Sequence, residues 1–166
     1  MYKKIALVVV SILFLVVFSI PVNAEEPKIE DYIFIWHAAK AGDVAMDIEK
    51  TREKLQVVLK SPGGALARIS ATPSQAEVIG AVLKKTNEYY DKQSKSQDSK
   101  SEDMAPAGDY KVYFSSSRGR NFKVRVSGPK AFGGAALMGQ EEAMTMSGFL
   151  LQAKKYAALV NKKINP

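Results

Sequence analysis

The chain has 166 residues, a formal net charge of +7 and no cysteine. The missing thiols exclude a lipid-modified cysteine, a disulfide framework and a thiolate metal site. The positive balance favours solubility and attraction to anionic surfaces without naming a partner.

The chain opens with Lys3 and Lys4, an almost unbroken apolar run from Ile5 to Phe18, Pro21, and then Val22-Asn23-Ala24 before Glu25. A basic start, a short apolar core and small residues ahead of a cut site predict a signal peptide over residues 1–24. The apolar run is shorter than the roughly 20 residues a spanning helix needs. Export and a mature start at Glu25 are therefore expected, with a periplasmic or extracellular location. Loss of residues 1–24 removes two lysines and no acid, leaving +5 over 142 residues. That length suits one domain with a sizeable core.

Two halves are expected in the mature chain, 25–90 and 108–166. Between them, residues 91–107 (DKQSKSQDSKSEDMAPA) are rich in Ser, Lys and Asp and read as a flexible linker. Each half ends in an amphipathic helix, Pro73 to Tyr90 and Gln140 to Val160. Ala76, Ile79, Val82, Leu83 and Tyr89 match Ala143, Met146, Phe149, Leu150 and Tyr156 at a constant offset of 67. Thr72, Pro73 and Gln75 form a start signal with a capping box, and Gly139 and Glu142 stand at the equivalent places. The stripe assigns Met146, Phe149 and Tyr156 to core packing.

Each half is expected to begin with a β-hairpin, aligned at an offset of 78 from Asp31-Tyr32 and Asp109-Tyr110. Tyr32, Phe34 and Trp36 then share a face with Val44, Met46 and Ile48, and Tyr110, Val112 and Phe114 with Phe122, Val124 and Val126. The turns fall at Ala38 to Asp43 and Ser116 to Asn121. The two offsets place an 11-residue insertion in the first half, around Glu49 to Leu59. Leu55, Val57 and Leu59 alternate as in a strand, and Ser61-Pro62-Gly63-Gly64 turns into a further strand, Ala65 to Ala71. A helix over Asp43 to Lys60 is the competing reading, from Val44, Ile48, Leu55 and Leu59; the repeat favours strands. The fold class is thus α+β, an antiparallel sheet with two helices, built as a tandem repeat in pseudo-twofold arrangement. In element order this resembles the Whirly and PUR-repeat binders of single-stranded nucleic acid, whose sheets precede a helix in each repeat. The resemblance covers no residue motif, no family follows from it, and export argues against a nucleic-acid partner.

No catalytic constellation stands out. His37 is the one histidine, so zinc-ligand spacing is absent; a hydrolase or lyase would rest on His37 with acids such as Asp43. Trp36, the single tryptophan, lies beside it. Gly63-Gly64 and Gly133-Gly134 lack phosphate-loop and dinucleotide patterns and read as turns. Ser127-Gly128-Pro129-Lys130 follows a strand and lacks the companions of an acyl-transfer motif. Glu141 and Glu142 suit the first turn of a helix. No cofactor is called for. The remaining cluster is the outward face of the second hairpin, where Lys111, Tyr113, Lys123 and Arg125 alternate with the apolar set and Arg118 and Arg120 occupy the turn. Guanidinium forks and a stacking ring suit an anionic polymer. On the first hairpin, Ile33, Ile35, Ala45 and Asp47 take that face, and the isoleucines suit contact with an envelope protein. The sequence points to a non-enzymatic binding or structural module, with an envelope-assembly subunit as the alternative.

Overall fold

The computed structural model describes residues 31–63, 66–129 and 134–164. Residues 1–24, where a signal peptide is expected, and Gly64-Ala65, Lys130 and Gly133 lie outside the described residues. The fold is α+β, with two four-stranded antiparallel sheets and two broken helices. The first sheet contains β1 (Ile33–Ala41), β2 (Val44–Thr51), β3 (Leu55–Lys60) and β4 (Arg68–Ala71) in sequential order. The helical segments α1 (Pro73–Leu83) and α2 (Thr86–Gln93) follow it. The second sheet contains β5 (Ser101–Ala107), β6 (Tyr110–Ser117), β7 (Arg120–Ser127) and β8 (Ala135–Met138), followed by α3 (Gln140–Leu150) and α4 (Ala153–Lys163). Within residues 43–60 the structure has two strands, 44–51 and 55–60, and no helix, as the alternation of Leu55, Val57 and Leu59 predicts.

The repeat is real in its elements, but its register differs from the one expected. Met46 pairs with Leu59 and Ile48 with Val57; Val112 pairs with Val126 and Phe114 with Val124. Leu59 pairs with Ile69, and Val126 with Ala136. Positions therefore match at 66 residues through β2 and β6, and at 67 from β3 and β7 through the helices. The hairpin alignment at 78 set β1 against β6, one strand out of step, and the 11-residue insertion disappears with it. The true anchor is a shared Ala-Gly-Asp: Ala41-Gly42-Asp43 joins β1 to β2, and Ala107-Gly108-Asp109 joins β5 to β6. Both glycines have positive φ, 56° and 62°, as the first position of such a two-residue turn requires. The first turn is thus shorter than Ala38 to Asp43, because β1 continues through a bulge between His37 and Ala39.

The expected linker is also corrected. Asp91 to Gln93 finish α2, and Ser101–Ala107 form β5. The link between them is fastened to the next turn, where Arg118 N–H donates to the Asp98 carbonyl at 2.9 Å and Ser117 Oγ to that of Ser99 at 3.0 Å. An edge strand needs apolar residues on one face only, and Ala105 and Ala107 supply the buried positions. Charged residues and Pro106 suit an edge that must resist further pairing.

Each expected helix is broken once, at matched places. Lys85 and Gln152 precede the second segments with ψ of 6° and 10°, and Thr86 Oγ1 donates to the freed Leu83 carbonyl at 2.6 Å. The breaks redirect the chain. The α2 segment lies on β6 and β7 of the other repeat, and α4 lies on β2 and β3 of the first. Tyr89 stacks on Phe114, with centroids 4.0 Å apart, while its counterpart Tyr156 meets Trp36 edge-on at 5.7 Å. The predicted capping box of Thr72 and Gln75 is present. In the second repeat Glu142 accepts from Gly139 N–H at 2.7 Å, and glycine supplies no reciprocal side chain.

Reciprocity defines the pseudo-twofold arrangement. Glu142 accepts from Asp43 N–H at 3.1 Å, and the matched Gln75 donates to Asp109 at 3.5 Å. At the centre, α1 crosses α3, and Ser147 Oγ donates to the carbonyl of its own counterpart, Gly80, at 2.8 Å. Buried residues of both sheets and all the helices' inner faces form one core, including Met46, Ile48, Leu59, Ile79, Phe114, Val126, Met146 and Leu150.

The crossing yields a paired prediction. A Cβ on Gly80 would lie 2.9 Å from Leu150 Cβ and 3.0 Å from Leu151 N, whereas one on Gly148 would meet nothing within 4 Å. Gly80→Val should therefore cost about 2–3 kcal/mol by overpacking. Gly148→Ala should stabilise by up to about 1 kcal/mol through helix propensity. Urea midpoints of the two variants against the parent measure both.

Candidate functional site

The outer face of the second sheet carries Lys111, Tyr113, Lys123 and Arg125 of the expected basic cluster, while Arg118 lies in the β6–β7 turn and Arg120 opens β7 beside it. Antiparallel register places Met104, Tyr113, Arg125 and Leu137 in one row across four strands. The flanking rows are Pro106, Lys111, Ser127 and Ala135, and Glu102, Ser115 and Lys123. Their partners on the inner face, Val112, Phe114, Val124 and Val126, are fully buried, so strand alternation sends the charged set outward. Lys111 and Lys123 are exposed, while Tyr113 and Arg125 are half-buried.

The Arg125 guanidinium lies 4.2 Å from the centre of the Tyr113 ring. Such a contact holds the side chain flat on the sheet and is worth about 0.5–1 kcal/mol at an exposed position. Glu102 approaches Arg125 and Lys100 only at 3.9 and 4.0 Å, distances at which an exposed pair contributes little. Arg118 and Gly119 form the tight turn, both with positive φ, 47° and 67°, and Arg120 follows it as the first residue of β7. Gly119 sits against Ser94, whose carbonyl oxygen would be 2.3 Å from an added Cβ. Among the described residues, no carboxylate lies within ion-pair distance of Lys111, Arg118, Arg120 or Lys123. Met104 and Leu137, both half exposed, add apolar ends to the Tyr113 row. Sequence reading missed them because their strands were assigned to a linker and to no element; the alternation in Met104-Ala105-Pro106-Ala107 was the available signal.

The matched face of the first sheet has the opposite character. Ala45, Asp47 and Glu49 stand where the second repeat has Lys111, Tyr113 and Ser115. Asp47 is buried and receives His37 Nδ1 at 2.8 Å and Lys60 Nζ at 2.5 Å. Arg68 reaches Glu49 at 2.6 Å, with Lys60 at 3.6 Å from the other oxygen. Every cation in this cluster has a carboxylate, so the face is balanced internally. Burial pushes the Asp47 carboxyl up, but hydrogen bonds and charge from Lys60 and His37 outweigh it and hold the group below the usual carboxylate range.

His37 and Asp43 do not come together. Asp43 lies in the hairpin turn, four residues from Asp47, or about 13 Å along a strand. Trp36 and His37 project to opposite faces: the indole packs on the core and the imidazole on the ion cluster. Among the described residues, no group of three His, Asp or Glu side chains is placed to hold a metal ion. Ile33 and Ile35 are 71% and 45% exposed beside His37. Comparison of the chain with protein-family models, with curated proteins and with solved structures finds no match.

Because Asp47 titrates lower in the folded than in the unfolded chain, its contribution is present above the unfolded carboxylate value. It is lost as pH falls through the folded one. Asp47→Asn should cost about 1–3 kcal/mol near pH 7, discounted for exposed partners, and less near pH 3, which is below the unfolded carboxylate value. Urea unfolding of parent and variant at the two pH values checks the sign.

Proposed function

We propose that this protein is a non-enzymatic binding module that takes an anionic polymer on the outer face of its second sheet, and that it acts outside the cytoplasm after loss of residues 1–24. The observation that carries the reading is the contrast between matched faces. One scaffold position carries Asp47, Glu49, Lys60 and Arg68, neutralised by each other; its counterpart carries Lys111, Lys123, Arg118 and Arg120 without carboxylates in reach among the described residues. A cationic surface kept uncompensated lowers the cost of meeting a polyanion, since no internal ion pair must first break. Arginine forks can grip phosphate, sulfate or carboxylate groups in pairs, and the Tyr113 ring offers a flat apolar surface between them. A second reading, a subunit of an envelope assembly, is favoured by the exposed Ile33 and Ile35.

Replacing Arg118, Arg120, Lys123 and Arg125 together with glutamate should abolish retention on a heparin column at moderate salt while leaving the far-UV spectrum unchanged. Retention of the parent should fall steeply as salt rises. Equal retention of parent and variant at matched ionic strength would show that this face is merely solvated. The intact mass of the same preparation, purified from an exporting host, should correspond to a chain beginning at Glu25.

A further inference from the structure

An opening lies between β1 and α4. It is a cleft of about 320 Å³ lined by Phe34, Trp36, Leu159, Val160, Lys163 and Ile164. Its wall is wholly apolar, so Lys163 contributes its aliphatic stem and leaves its ammonium at the rim. The volume is at the lower end of small-molecule sites, which are commonly about 300–1,000 Å³. The indole is held in place from behind by Tyr156, whose ring meets it at 89°. Lys50 Nζ donates to the Ile164 carbonyl, anchoring the end of α4 to β2.

The duplicated scaffold supplies a comparison within the molecule. Trp36, Leu159 and Val160 occupy the positions that Asp103, Lys92 and Gln93 take in the other repeat. There the place is filled: Lys92 pairs with Asp103 at 2.5 Å, and Gln93 donates to Asp103 at 2.9 Å and to the Phe114 carbonyl at 2.7 Å. Hydrogen bonds from Lys92 and Gln93 hold the Asp103 carboxyl below its ordinary range, so the carboxylate is satisfied in its charged form, while Gln93 Oε1 is buried without a partner. In the first-sheet copy the same three positions are apolar, and Leu159 remains 45% exposed. Packing of the fold does not require an opening here, since its own repeat closes it with polar groups. The last turn of α4 adds Lys162 and Lys163, a cationic end to an otherwise greasy slot.

We propose that this cleft binds a small anionic amphiphile, its acyl or aryl body lying against Trp36, Phe34 and Leu159 and its carboxylate or similar head meeting Lys163. The apolar wall selects the body, and Lys163 selects the head. The site is separate from the basic face of the second sheet and independent of the function proposed for it.

Trp36 is the only tryptophan in the chain, so its emission reports the cleft alone. Titrating the purified protein with octanoate should change that emission saturably. Octanol should bind roughly three- to fivefold more weakly, as loss of one exposed charge contact implies. Lys163→Ala should erase this difference. Leu159→Asp should weaken octanoate binding by about tenfold or more, because it places a charge against the apolar body. Leu159 is half exposed, so far-UV circular dichroism should confirm that the variant folds. The chain with Arg118, Arg120, Lys123 and Arg125 changed to glutamate should bind octanoate like the parent. Absence of a saturable change, undiminished binding to folded Leu159→Asp, equal affinity for octanol, or loss of binding in the second-sheet variant would each overturn the proposal.

Discussion

The close crossing of α1 and α3 at Gly80 and Ser147 is the constraint from which the rest of the fold follows. Glycine lets Leu150 and the Leu151 backbone approach within van der Waals distance, and the Ser147 hydroxyl, buried by that approach, finds its partner in the Gly80 carbonyl, which also accepts Lys84 N–H at 3.0 Å. Because the two residues occupy matched positions, the helices meet on the axis relating the repeats. Beyond it, each chain breaks at Lys85 or Gln152 and turns onto the opposite sheet. Neither sheet is covered by its own second helical segment. Tyr89 on Phe114 and Tyr156 on Trp36 tie the halves together through aromatic contacts that cross between repeats.

A shared framework makes differences between matched positions informative. The inner faces are interchangeable in kind, with Met46, Ile48, Val57 and Leu59 answering to Val112, Phe114, Val124 and Val126. The outer faces are not. One sheet carries a self-neutralised cluster around Asp47, the other a basic and aromatic surface around Tyr113 and Arg125. Beneath the helix ends the polarity reverses: the first sheet opens an apolar cleft at Trp36, and the second closes the same place with Asp103, Lys92 and Gln93. Strand alternation permits this divergence, since an outward side chain can change without disturbing the core.

The helices were legible in the sequence because their stripe and the Thr72 capping box are local signals. Their breaks were not, since Lys84-Lys85 and Leu151-Gln152 are ordinary helical residues and the exchange of sheets that requires the break is a tertiary effect. The outward placement of Lys111, Tyr113, Lys123 and Arg125 was legible from period two. The register of the repeat was misjudged because Asp31-Tyr32 resembles Asp109-Tyr110 in isolation. The longer Ala-Gly-Asp match would have set β2 against β6, and with it β5 would have emerged from the Ser- and Lys-rich segment. The Asp47 cluster was hidden for a different reason: its members lie on β1 to β4, and only the pairing of those strands brings His37, Lys60 and Arg68 to two carboxylates.

If each sheet depends on the other repeat's helices, neither can open while the other stays folded. Native-state hydrogen exchange of the central amides, Val57 to Leu59 in β3 and Val124 to Val126 in β7, tests that dependence most directly. The account predicts the same opening free energy and the same denaturant dependence for both sets. Exchange of β3 through a partial opening that leaves β7 protected, or the reverse, would contradict it.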